Sequence, residues 1–83
     1  MEKVELMSLL VFLSNAYPKK LNFPQGNKKD NKEFIDTWYD FLQDYDYTTV
    51  KRAIKKLIIR KSEWPPTLGE VVKEIKRYEM RIF

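Results

Sequence analysis

Eighty-three residues give room for one domain and one core, since a chain of this length buries only about 60% of the surface its unfolded form exposes. The absence of Cys excludes a disulfide framework, a thiolate metal site and a thiol nucleophile, and the absence of His removes the usual general acid/base and the commonest metal ligand. The net charge of +4 is unevenly spread: residues 1–46 hold six Lys/Arg against eight Asp/Glu, and residues 47–83 hold ten against four, a bipolar field suited to a partner with its own charge pattern, whereas duplex DNA calls for a dominant basic face.

The first helical pattern runs from about residue 2 to residue 15, where Leu6, Leu9, Leu10 and Leu13 form one stripe. Val4, Met7 and Val11 widen that stripe, so this helix is expected to be largely buried. It stops before Tyr17-Pro18, because proline disfavours helical geometry in the residue before it and has no amide to donate. The longest apolar stretch, residues 9–13, falls far short of the roughly 20 residues that span a bilayer. The N-terminal Met-Glu-Lys-Val-Glu lacks the basic region and cleavage site of a secretory signal, so the protein is expected to stay in the cytoplasm where it is made.

Residues 18–30 carry two prolines, Gly26 and four lysines, and read as a surface loop. Their only large apolar side chains, Leu21 and Phe23, are expected to tuck beneath it as a satellite of the core. A second helix follows from about residue 31 to 44, with Phe34, Trp38, Phe41, Leu42 and Tyr45 at inward intervals. Its acids Glu33, Asp36, Asp40 and Asp44 lie along an outer stripe with no converging ligand, which makes them a solvated face rather than a catalytic pair or a metal cluster.

Asp46 is placed to cap a third helix by accepting from the Thr48 or Thr49 amide, and this helix extends to about Lys61. Its inward set is Val50, Ala53, Ile54, Leu57 and Ile58, while Lys51, Arg52, Lys55, Lys56, Arg60 and Lys61 give six positive charges with no acid between them. After Trp64-Pro65-Pro66, Thr67 and Glu70 have the spacing of a capping box that starts a fourth helix. Val71, Val72, Ile75 and Tyr78 point inward from it, and Lys73, Glu74, Lys76, Arg77 and Glu79 are expected to turn outward.

No segment sustains apolar/polar alternation, so the expected architecture is all-α, a compact four-helix domain with one longer loop at about residues 16–30. The alternative is a winged-helix-like α+β domain with residues 57–59 as a strand. Gly26 and Gly69 stand alone, which rules out a phosphate-cradling Gly-rich loop, and a serine nucleophile has no base to lean on. The chain therefore reads as a single macromolecule-binding domain over residues 1–83, not an enzyme, with no cofactor, no metal and no small-molecule substrate. Two surfaces offer themselves: the cationic face at Lys51, Arg52, Lys55 and Lys56, and an aromatic corner at Tyr47 and Trp64. The cations can grip phosphates, dock an acidic protein or merely keep the domain soluble, so a nucleic-acid-binding domain is the runner-up. No helix combines base-reading Arg, Asn or Gln with a basic flank, which places DNA second.

The order of features carries a resemblance: Asn15-Ala16-Tyr17-Pro18 ending the first helix, then Thr37-Trp38-Tyr39-Asp40-Phe41-Leu42, then Asp44-Tyr45-Asp46-Tyr47, a cationic helix, and Trp64-Pro65-Pro66-Thr67-Leu68-Gly69-Glu70-Val71. This resembles the phage-encoded helicase loader/inhibitor family, small replication proteins of phages that infect Gram-positive bacteria. The resemblance implies a helical N-terminal domain and a partner in the host replicative helicase machinery, either the ring helicase or its AAA+ loader. In that family a flexible C-terminal extension is associated with gripping the helicase. This sequence ends at Phe83 without a polar tail, which favours a protein that occupies a host replication factor through its folded surface.

Overall fold

The computed structural model describes residues 1–18, 20–21, 28–60 and 63–82, and within them the chain forms four helices. Helix α1 spans Lys3–Ala16. Its first turn is closed by the Glu5 carboxylate, which accepts from the Glu2 amide at 2.8 Å. Its last turn is left at Tyr17, whose φ of −131° and ψ of 64° are no longer helical. The Tyr17 carbonyl then accepts from the Lys20 and Leu21 amides, and the Ser14 hydroxyl donates to the Leu21 carbonyl at 2.9 Å. These bonds fold Leu21 back against the core, as its isolation in a polar stretch predicts; Phe23 lies outside the described residues.

Helix α2 spans Lys28–Leu42, starting earlier than the apolar spacing suggests, with the acid Asp30 in its first turn, where a negative charge favours a helix N-terminus. It ends at Leu42, where the Tyr45 amide bonds the Leu42 carbonyl at 3.0 Å and tightens the turn. Helix α3 spans Tyr47–Arg60. The Asp46 carbonyl accepts from the Val50 amide at 3.1 Å, but among the described residues its carboxylate takes no bond from Thr48 or Thr49, so the expected side-chain cap is absent. Helix α4 spans Leu68–Ile82 and opens on the capping box read from the sequence. The Thr67 amide donates to Glu70 Oε1 at 2.9 Å and the Glu70 amide donates to Thr67 Oγ1 at 3.2 Å. Residues 57–59 are helical, which removes the winged-helix alternative, and there is no strand among the described residues.

Helix α1 packs on α2 and α3, and α4 closes the ring by packing on α3 and α2. The shared core is Leu6, Leu9, Leu10, Leu13 and Tyr17 from the first helix and its exit, Trp38 and Leu42 from α2, Val50, Ala53, Ile54 and Leu57 from α3, and Val71 and Ile75 from α4. Phe34 stacks on Trp38 with ring centroids 5.7 Å apart. The start of the chain is tied to the α2–α3 turn: the N-terminal ammonium donates to the Gln43 carbonyl at 2.7 Å, and the Tyr39 hydroxyl donates to the Met1 carbonyl at 2.8 Å.

Principal extents of 43 × 27 × 17 Å leave two helix layers across the thin dimension, so every helix keeps a face in water. Two expectations fail for that reason, and a third fails because a neighbouring helix supplies a charge partner. Helix α1 is not largely buried: its four leucines are, but Val4, Met7 and Val11 are exposed. Phe41 is 57% exposed, because the arc of α2 covered by its two neighbours takes in Ile35 and Tyr39 instead. Glu74 turns inward, its carboxylate held by Arg60 at 3.3 Å and Arg77 at 3.7 Å. A carboxylate between two guanidiniums is tolerable at a helix–helix seam because its charge is compensated there.

Candidate functional site

The cationic residues of α3 fall on its outer face because the inward positions are taken by Val50, Ala53, Ile54 and Leu57. At 3.6 residues per turn, Thr48, Lys55 and Ile59 run down the middle of that face, with Lys51 on one flank and Arg52 and Lys56 on the other. Like charges at i and i+4, as in Lys51/Lys55 and Arg52/Lys56, oppose helix formation by a few tenths of a kcal/mol per pair (roughly 0.2–0.5). Aromatic rings drawn from three helices offset this. The Lys51 ammonium lies 5.8 Å from the Phe12 ring and 5.5 Å from the Tyr47 ring. The Arg52 guanidinium lies 4.7 Å from the Tyr78 ring, with the Lys56 ammonium 5.8 Å from the same ring. A ring orients a cation without neutralising it, so the flanks stay positive while they are pulled apart.

Between the flanks runs an open groove of about 300 Å³ lined by Tyr47, Thr48, Lys51, Arg52, Lys55, Lys56 and Ile59. Five of the six residues singled out in the sequence therefore line one groove. Lys55 has neither an acid nor a ring as partner among the described residues. Arg60, counted with the same cationic set, is drawn off to Glu74 on α4, and Lys61 lies outside the described residues.

Trp64 stands apart. It sits on the turn after α3, 62% exposed, with the Lys20 ammonium 3.8 Å over its ring. Tyr47 opens the same helix, and Trp64 follows its other end and is not among the residues lining the groove. Of the expected aromatic corner, Tyr47 lines the groove and Trp64 does not. Conversely, Ile59 escaped the sequence reading, although it is 84% exposed at the end of the groove. Its spacing of four, seven and eleven residues from Lys55, Arg52 and Thr48 already placed it on the outer face. The contributions of Phe12 and Tyr78 come from other helices and had no local signal.

Three other hollows carry mixed charge: one between α1 and α2 at Lys3, Met7, Lys32, Ile35 and Asp36, and two between α3 and α4 around Glu74, the smaller of them also touching Arg52 and Lys56. Only the α3 groove presents charge of a single sign among these hollows of the described residues. Among those residues no cluster of three or more acidic side chains is placed to hold a metal ion, and no helix is long and apolar enough to cross a membrane. The family model for the N-terminal domain of a phage helicase loader/inhibitor matches residues 1–72, which takes in α1, α2, α3, the turn at Trp64 and the first turn of α4. No curated protein and no solved structure matches the chain.

Proposed function

The chain belongs to the family of the N-terminal domain of a phage helicase loader/inhibitor, and from that premise we propose that it binds a component of the host replicative helicase machinery and inhibits or modulates helicase loading. The family match over residues 1–72 is the observation that carries this reading. Acting on that machinery places the protein in the cytoplasm of the host bacterium. The partner is the ring helicase or its AAA+ loader, and the docking residues are Tyr47, Lys51, Arg52, Lys55 and Lys56, with Trp64 as a separate anchor at the far end of α3.

The physical support is the one-sided charge of α3 together with its flanking aromatics. An interface of standard size takes roughly 800 Å² from each partner, so a domain this small must commit most of one face, combining aromatic anchors with a charged rim. A charged rim mainly sets the encounter rate, whereas the anchors set the lifetime of the complex.

Immobilised protein exposed to a Gram-positive host lysate, followed by binding to the purified helicase and loader, tests the proposal. Capture of either one, together with slower helicase loading in a reconstituted reaction, is the expected result. Recovery of RNA polymerase, a repressor or nuclease subunits, with neither helicase nor loader, overturns it. Capture of the loader rather than the helicase distinguishes inhibition of the host from loading for the phage, because a protein that loads helicase must hold the helicase.

A further inference from the structure

We infer that the α3 groove is a pre-shaped channel for an acidic polypeptide segment that also carries an apolar side chain. This deepens the proposed function and rests on its reading of α3 as the partner surface. Lys51, Arg52, Lys55 and Lys56 line the channel with no acid among its residues, so a segment rich in Asp and Glu is the occupant that complements its charge. At the end of the channel Ile59, 84% exposed, offers hydrocarbon that a phosphate backbone has no use for but a Leu, Ile or Phe of a peptide can cover. From Tyr47 to Ile59 the channel is about 18 Å long at 1.5 Å per residue, the span of five or six extended residues or about three turns of helix.

The rings give the channel its shape. Long flexible cations lose rotamer freedom when they bind, and that loss weakens most exposed ion pairs. Here Phe12 and Tyr47 hold Lys51 to one side, and Tyr78 holds Arg52 and Lys56 to the other, in the free protein. Much of the ordering cost is therefore met before a partner arrives, and Lys55, which has no ring or acid among the described residues, is left in the middle to meet a carboxylate. Tyr78 is a positioning residue in this scheme: it acts through Arg52 and Lys56 and need not touch the partner.

A fluorescein-labelled Glu/Leu-rich peptide about as long as the channel is the probe, titrated by fluorescence anisotropy against the full chain at about 0.05 M and about 0.3 M salt. Binding is expected at the lower salt and should weaken at the higher. Lys55→Glu with Lys56→Glu should weaken it at least about tenfold, while Lys73→Glu with Lys76→Glu, an equal change of net charge on α4, should leave it within about twofold. Tyr78→Leu should weaken it several-fold and Tyr78→Phe should restore it, because the aromatic face and not the hydroxyl holds the cations. Circular dichroism of each variant establishes that it is folded. Equal loss from the two double reversals would show a response to net charge alone and overturn the proposal, as would no peptide binding, or tighter binding of a single-stranded oligonucleotide of similar length. If helicase or loader binds but neither peptide nor charge reversal competes, the channel is wrong and the proposed function stands. If the peptide binds with these specificities while neither helicase nor loader does, the channel stands and the proposed function falls.

Discussion

Trp38→Ala tests whether the aromatic residue of the Trp38-Tyr39 pair serves the fold or a partner. Trp38 is only 7% exposed, stacks on Phe34 at 5.7 Å, and belongs to the cluster shared with Leu42 and the other three helices. Truncating a buried aromatic of this kind typically costs about 3–5 kcal/mol, through lost transfer energy and the cavity left behind. A domain of 83 residues has about 4–12 kcal/mol of stability in all, at roughly 0.05–0.15 kcal/mol per residue. The variant should therefore be marginal or unfolded at room temperature. With a urea slope of about 1 kcal/mol/M for so small a protein, the unfolding midpoint should fall by about 3 M or more, or the native baseline should vanish. Far-UV circular dichroism is the assay of choice, because the remaining Trp64 is exposed and its fluorescence reports a turn and not the core. A midpoint within about 0.5 M of the parent, combined with lost partner binding, would refute the reasoning and make Trp38 an interface hot spot.

Four further perturbations probe the elements around the groove by the same urea titration. Thr67→Ala removes the hydroxyl that accepts from the Glu70 amide and should cost about 1 kcal/mol; no change would mean that the capping box contributes nothing to α4. Gly69→Ala should stabilise by about 0.4–1 kcal/mol, because an added Cβ meets only Thr67 Oγ1 at 3.9 Å and the unfolded chain loses freedom; a lower midpoint would contradict the open space at that position. Val11→Lys should stay within about 0.5 kcal/mol of the parent while Leu10→Ala, one residue earlier, loses about 2–5 kcal/mol; comparable losses would mean that the outer face of α1 is covered after all. A double-mutant cycle of Arg60→Ala with Glu74→Ala should give a coupling of about 1 kcal/mol, kept at the surface-pair scale because Arg60 is half exposed; zero coupling would mean that Arg60 does not hold the inward Glu74 and would leave that to Arg77.

The four helices are legible in the residues alone, because the signals that start and stop them are local. Pro18 ends α1, Thr67 and Glu70 begin α4, and the 3.6-residue spacing of Leu6, Leu9, Leu10 and Leu13 or of Val50, Ala53, Ile54 and Leu57 needs no partner to be read. The same spacing put Lys51, Arg52, Lys55 and Lys56 on one face, and the order of the Tyr-Pro, Trp-Tyr and Trp-Pro-Pro-Thr motifs pointed to the family. How much of each apolar stripe is covered was settled by packing, since that depends on how many neighbours a helix has. Val4, Met7 and Val11 look as apolar as the leucines beside them, yet two helix layers leave that face of α1 in water. Glu74 reads as an outward charge until Arg60 is brought from α3 to meet it. The rings beside the cations on the groove's flanks, Phe12 of α1 and Tyr78 of α4, come from other helices, an arrangement set by which helices pack together and at what register, and one that the spacing along any single helix does not encode.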